Sequence, residues 1–242
     1  MQKAARPGTN KVIKMKSKIC VKLENTNDGA SELIKNIEKK GRTFFSGSRG
    51  SHDWDHTQRV FQLCKKVGDA EDADMTVLLI AALLHDIGRG DQDNSNGVLC
   101  HAKKGAEMAT PIVEQLPLSA DQKENIIHSI RTHRFRNNQI PKTREAKVLF
   151  DADKLDAIGA VGVARAFLFA GEVGARLHSP DKMIEDTKPY SEDDTGYREY
   201  KVKLSKIKDR MLTITGKGLA NERHAYMENF FKQFLNEYEG KG

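Results

Sequence analysis

The chain has 242 residues, 31% of them charged and 38% hydrophobic, with a formal net charge of +6. A chain of that length can bury a substantial core, and that balance excludes an intrinsically disordered protein. Its longest apolar run, Val77 to Leu84, is far too short to span a bilayer, so a soluble protein is predicted.

The positive charge is concentrated at the start of the chain. Lys3, Arg6, Lys11, Lys14, Lys16, Lys18 and Lys22 lie between Met1 and Leu23 with no acidic residue among them, and without these seven the formal charge falls from +6 to −1. Residues 1–27 read as a basic, disordered leader, because they lack the apolar periodicity of a helix. Such a leader suits a transit peptide, an arm on nucleic acid or a membrane surface, or an extension ahead of an internal start at Met15; it contains no apolar core of a secretory signal. Residues 28–242 then form one domain.

Almost every periodic segment of that domain reads as helix. Residues 30–40 carry Leu33, Ile34 and Ile37 on one face, and from Asp53 onward Val60, Leu63, Cys64 and Val67 fall at i, i+3, i+4 and i+7. Asp74 can cap the next helix, whose body "MTVLLIAALL" is apolar all round and therefore central. "HDIGRGDQDNSNG" ends it. Residues 102–115 form a further helix, which Pro111 should kink. "SADQ" at 119–122 is a capping box ahead of Ile126, Ile127 and Ile130. Residues 146–170 read as one long buried helix, 171–195 as an irregular loop or lid, and 197–213 as helix again. The last helix shows Tyr226, Phe230, Phe234 and Tyr238 at steps of four, a stripe expected to pack in the core. No alternating strand pattern occurs, so the fold class is all-α. Cys20, Cys64 and Cys100 are odd in number and form no CxxC pair, which argues against disulfides and a zinc-thiolate site and predicts a reducing, cytoplasmic setting. Cys100 and His101 are neighbours, but adjacent helical residues point about 100° apart.

Three of these helices bring histidine and aspartate into apolar surroundings. His56 lies in the second, His85 and Asp86 end the third, and Asp151, Asp153 and Asp156 lie in "LFDADKLDAIGA". A buried, ionised Asp without a partner costs several kcal/mol. A divalent metal compensates, since two imidazoles and two carboxylates around it are neutral and leave positions open for water and substrate. With no thiolate, the donors suit Mn, Fe, Co, Ni, Zn or Mg without choosing among them. Each piece has a plainer reading: a helical His is commonly a satisfied core residue, a helix C-terminus favours His, and "DADKLD" can be a solvated face. The joint order H…HD…D around an apolar central helix makes them one candidate site.

"SHDWDHTQRV", "LLIAALLHDIG", "HAKKGAEMA" and "DADKLDAIGAVGVARAF" together resemble the successive motifs of the HD-domain (HDIG) metal-dependent phosphohydrolase superfamily, in its small, single-domain prokaryotic branch. The resemblance runs from about His52 to the C-terminus and implies a single-domain helical bundle with a metal site between central helices. It implies metal ligands at His56, His85, Asp86 and Asp153, with Asp153 preferred to Asp151 because it opens the "AD-x-L" pattern. It places Lys154 against phosphate. It offers His101 and His133 as ligands of a second metal, or His101 as an acid acting on the substrate. His52, one helical turn before His56, matches the position of a general acid, with Asp53 where cyclic-nucleotide phosphodiesterases have Asn. His128 fits the pattern less well, and Arg59 holds phosphate or, as we prefer, pairs with an acid.

The implied activity is hydrolysis of a phosphoanhydride or phosphoester in a nucleotide by metal-activated water, with Lys154 taking up phosphoryl charge and His52 or His101 protonating the leaving oxygen. A metal- or nucleotide-sensing module without efficient chemistry, and a cyclic-nucleotide or non-nucleotide phosphodiesterase, are the alternatives. The expected partner is a small phosphorylated molecule, with nucleic acid reached only through the leader and no membrane; the oligomeric state is open. "TGKG" at 215–218 is no Walker A motif and is expected between helices.

Overall fold

The computed structural model describes residues 29–45, 54–95, 98–134 and 139–241. The leader and His52 lie outside these residues. Among the described residues every regular element is helical: α1 (29–42), α2 (Trp54–Ala70), α3 (Met75–Leu84), α4 (Arg89–Asn94), α5 (His101–Glu114), α6 (Ala120–Thr132), α7 (Arg144–Asp156), α8 (Gly159–Glu172), α9 (Gly196–Val202) and α10 (Ile214–Tyr238). No helix among them is long and apolar enough to cross a membrane.

Local chemistry starts several helices where the sequence places a cap. The Asp74 carboxylate accepts from the backbone N–H of Thr76 and Val77, Ser119 and Gln122 form the reciprocal capping box, and Thr143 accepts from Ala146 N. From Val77 to Leu84 every residue of α3 is buried, because α2, α6 and α7 pack around it. Leu78, Ile80, Leu83 and Leu84 each contribute about 1.5–3 kcal/mol of burial at the centre. α3 therefore delivers its C-terminal His-Asp pair at a fixed depth. α5 runs on through Pro111.

The structure corrects several sequence expectations. The single helix over 146–170 is two: α7 ends at Asp156 and α8 starts at Gly159, which sits at φ +77° with the Arg223 side chain where a Cβ would go. A helix cannot pass through a left-handed residue, and glycine alone takes that conformation without strain. The expected helix over 197–213 stops with α9 at Val202, after which short 3₁₀ turns cover Leu204–Lys206 and Lys208–Arg210. "TGKG" lies in the first turn of α10 rather than between helices. On α10 the core face is Ala220, His224, Met227 and Phe231; Tyr226 and Tyr238 are exposed, so the aromatic stripe runs along the edge of the core. The segment 171–195 is irregular as expected, and it is fastened down: Lys182 pairs with Asp193, Arg198 with Asp194, and His178 lies edge-on to Tyr197 and Tyr238.

Asp151 has its own task. Its carboxylate accepts from Leu212 N, Thr213 N and Thr213 Oγ1, at 2.9, 2.8 and 2.6 Å, and so ties α7 to the start of α10. Asp151→Ala leaves those donors buried without a partner, and a loss of about 2–3 kcal/mol of stability is expected in chemical denaturation, with metal binding retained. Loss of metal binding by the folded variant would contradict this division of labour between Asp151 and Asp153.

Candidate metal centre

The histidines stand at helix ends, where a side chain can turn inward. His85 is the C-cap of α3 and His133 the C-cap of α6; His101 opens α5, and His56 is the third residue of α2. All four are buried, as is Asp86. Their Nε2 atoms converge on the Asp86 carboxylate. His56 Nε2 lies 3.7 Å and His85 Nε2 3.8 Å from Oδ2, while His101 and His133 lie 3.2 and 3.5 Å from Oδ1. Asp153 Oδ1 approaches His56 Nε2 to 3.3 Å from α7. Two triads result, His56–His85–Asp86 and Asp86–His101–His133, with Asp86 common to both; within each, the potential ligand atoms lie within 4.8 Å of one another.

The partners of the outer ring nitrogens decide what the inner ones offer. His85 Nδ1 lies 2.7 Å from the Ala82 carbonyl and His133 Nδ1 2.7 Å from the Ile130 carbonyl. A carbonyl only accepts, so both rings carry their proton on Nδ1 and turn an Nε2 lone pair into the site. His101 Nδ1 meets Gln92 Oε1 at 2.6 Å, an oxygen oriented by the Arg134 guanidinium, which donates to it at 2.8 Å. His56 Nδ1 meets the Asp156 carboxylate at 2.8 Å.

This donor set fits a cation. His56 Nε2 and His85 Nε2 face each other at 3.4 Å, and His101 Nε2 and His133 Nε2 at 3.1 Å. His85 and His133 each turn a bare Nε2 toward a second imidazole nitrogen, and Asp86 Oδ1 is buried without a hydrogen-bond donor. A divalent ion shared by these atoms would satisfy them together, and the mixture of imidazole nitrogen and carboxylate oxygen suits first-row divalent metals.

The electrostatics differ from ring to ring around the carboxylates. Burial pushes His85 down to about 4 and His101 down to about 2 against the pull of Asp86. Burial also opposes charge on His56, but hydrogen bonds to Asp153 and Asp156 outweigh it and raise that ring to about 9. Burial alone would raise Asp86 and Asp153 too; Arg89 beside the first and Lys154 beside the second hold both well below the usual carboxylate range. Lys154 Nζ lies 2.6 Å from Asp153 Oδ2 and 4.8 Å above the Phe150 ring.

The structure thus brings together His56, His85, Asp86, His101, His133, Asp153 and Lys154, while His52 lies outside the described residues. Arg59 pairs with an acid, Asp156, and His128 accepts from Lys142 N away from the cluster. Sequence reasoning assigned no role to Gln92, Arg89 or Arg134 and none specific to Asp156. Helical spacing carried part of the signal: Arg59 lies three residues after His56, and Asp156 three after Asp153, so each shares a face with a site residue. Nothing local marks Gln92 or Arg134.

Comparison with known proteins places these features in a wider group. The HD domain family model matches residues 53–158. The uncharacterized protein YpgQ of Bacillus subtilis is 34% identical over 206 residues, 82% of this chain and 90% of YpgQ. The crystal structure of Bacillus subtilis YpgQ in complex with ADP superposes with a TM-score of 0.65 at 30% identity, covering 86% of this chain and 95% of that one. An HD-superfamily hydrolase from Bacillus thuringiensis gives a TM-score of 0.69 at 28% identity over 87% of this chain and 98% of its own.

Proposed function

The chain belongs to the HD-domain family, and on that premise we propose that it is a divalent-metal-dependent phosphohydrolase acting on a phosphoanhydride or phosphoester bond of a nucleotide. The observation that carries this reading is the convergence of four buried imidazole nitrogens on one shared, buried carboxylate with an unpartnered oxygen, an arrangement that is costly without a cation. The relative crystallised in complex with ADP supports a nucleotide as substrate.

His56, His85, Asp86 and Asp153 would hold the ion, and Asp86, His101 and His133 offer a second position. A bound divalent ion supplies Lewis acidity toward phosphoryl oxygen and the activation of water. The remaining work falls to the chain. Lys154, partly exposed and resting on Asp153, can turn its ammonium to a phosphoryl oxygen; Arg89 and Arg134 keep the surrounding wall positive, which favours an anionic substrate and the charge built up in transfer. His101, held neutral by burial, is a poor proton donor and a good ligand. That leaves His52 to protonate the leaving oxygen, four residues ahead of His56.

The test is phosphorus NMR of the metal-stripped protein with a mixed nucleotide pool, before and after adding Mn²⁺. Metal-dependent appearance of pyrophosphate, triphosphate or orthophosphate is expected and names the bond broken. Saturable nucleotide binding with no product under any metal would instead make the protein a sensing module.

A further inference from the structure

His56 differs from its three companions in what holds its outer nitrogen. His85 and His133 reach back three residues to a helical carbonyl. His56 lies close to the start of α2 as described. A carboxylate from another helix takes that place. Asp156, 1% exposed and three residues beyond Asp153 on α7, accepts from His56 Nδ1 at 2.8 Å through Oδ2. The same oxygen accepts from Arg165 Nη1 on α8 at 2.8 Å and from Arg59 Nη2 on α2 at 3.1 Å, and Oδ1 accepts from Arg59 Nε at 2.7 Å.

We propose that Asp156, clamped by Arg59 and Arg165, is a positioning residue that holds His56 in the tautomer protonated on Nδ1, with its Nε2 lone pair turned to the metal triad. The two guanidiniums offset the cost of burying the carboxylate and fix its rotamer. The alternative tautomer is close at hand: with a proton on Nε2, His56 could donate to Asp153 Oδ1 at 3.3 Å or Asp86 Oδ2 at 3.7 Å. That proton would cap the atom required as ligand. By accepting at Nδ1, Asp156 favours, among the neutral forms, the tautomer whose Nε2 is bare for the ion. The inference rests on the metal-hydrolase reading for its purpose, though the hydrogen bond itself can be tested without it.

Two variants separate positioning from bulk or charge. Asp156→Ala removes the acceptor. Asp156→Asn can keep an oxygen at the Oδ2 position, retaining His56, Arg165 and one Arg59 contact and losing only the Arg59 Nε contact. The experiment uses the full chain, with ¹⁵N-labelled histidine and Zn²⁺. In the wild type, His56 is expected to show a protected Nδ1 proton with Zn²⁺ on Nε2. In Asp156→Ala that proton is lost and Zn²⁺ affinity, measured by competition with a chromophoric chelator, falls by about 10–100-fold. In Asp156→Asn the proton persists and the loss is smaller. Zn²⁺ on Nδ1 in the wild type, or an Ala variant that keeps the proton and binds within about twofold of wild type, would overturn the proposal. Should Asp156→Ala fail to fold, the wild-type proton and the Asn variant still decide it. Failure of the wild type to bind Zn²⁺ would remove the metal reading, and the Nδ1 proton of the metal-free protein would then decide the clamp alone.

Discussion

Asp86→Ala is expected to remove metal binding and turnover together while leaving the helical circular dichroism of the wild type. Asp86 is the one residue common to both triads, with Oδ2 facing His56 and His85 and Oδ1 facing His101 and His133. Its loss leaves the second triad two imidazoles with no anion, and the first position only Asp153 to neutralise a divalent cation. Metal catalysis of phosphoryl transfer contributes several kcal/mol of transition-state stabilisation, so turnover should fall by about a thousandfold or more. The fold should survive because the carboxylate makes no backbone hydrogen bond among those described, and α3 is held by its apolar faces. The measurement is metal content per chain alongside product formation. Wild-type stoichiometry in the folded variant would sink the assignment of Asp86 as the shared ligand.

Gly88→Ala is expected to cost about 3 kcal/mol, or a melting temperature lower by about 6–12 °C for a chain of this size. Two residues after Asp86, the chain passes against the start of α5. A Cβ on Gly88 would lie 2.5 Å from Gly105 N, 2.6 Å from the His101 carbonyl oxygen and 3.0 Å from Gly105 Cα. These are backbone atoms of a helix and cannot swing aside as a side chain would. Gly105 completes the approach, with the His85 carbonyl oxygen 3.2 Å from where its own Cβ would be. The substitution must therefore push α5 away, and His101 moves with it, so metal affinity should fall along with stability. Gly90 in the same motif is the control: nothing lies within 4 Å of its Cβ position, and Gly90→Ala should be neutral or slightly stabilising. Equal melting temperatures for the two alanine variants would refute the close-packing account.

What could be read from the chain alone was whatever depends on near neighbours. Asp74, the Ser119–Gln122 box and the apolar run of α3 act within a turn or two, so they announced helix starts and a central helix from their own spacing. The ordered motifs around His56, His85, Asp86 and Asp153 pointed to a metal because that combination of residues is costly in apolar surroundings unless something neutralises it. The break between α7 and α8 escaped, because small residues suit a helix interior until Arg223, far along the chain, occupies the space that only Gly159 leaves open. The same holds within the site. Which carboxylate serves α10, which clamps His56, and which oxygen turns His101 depend on α10, α8 and Gln92 arriving at those atoms, at distances of 2.6–2.8 Å. Helical periodicity is a local property of the backbone and is written in the sequence; the partner of each buried nitrogen and oxygen is set by packing between distant segments, and only the tertiary structure decides it.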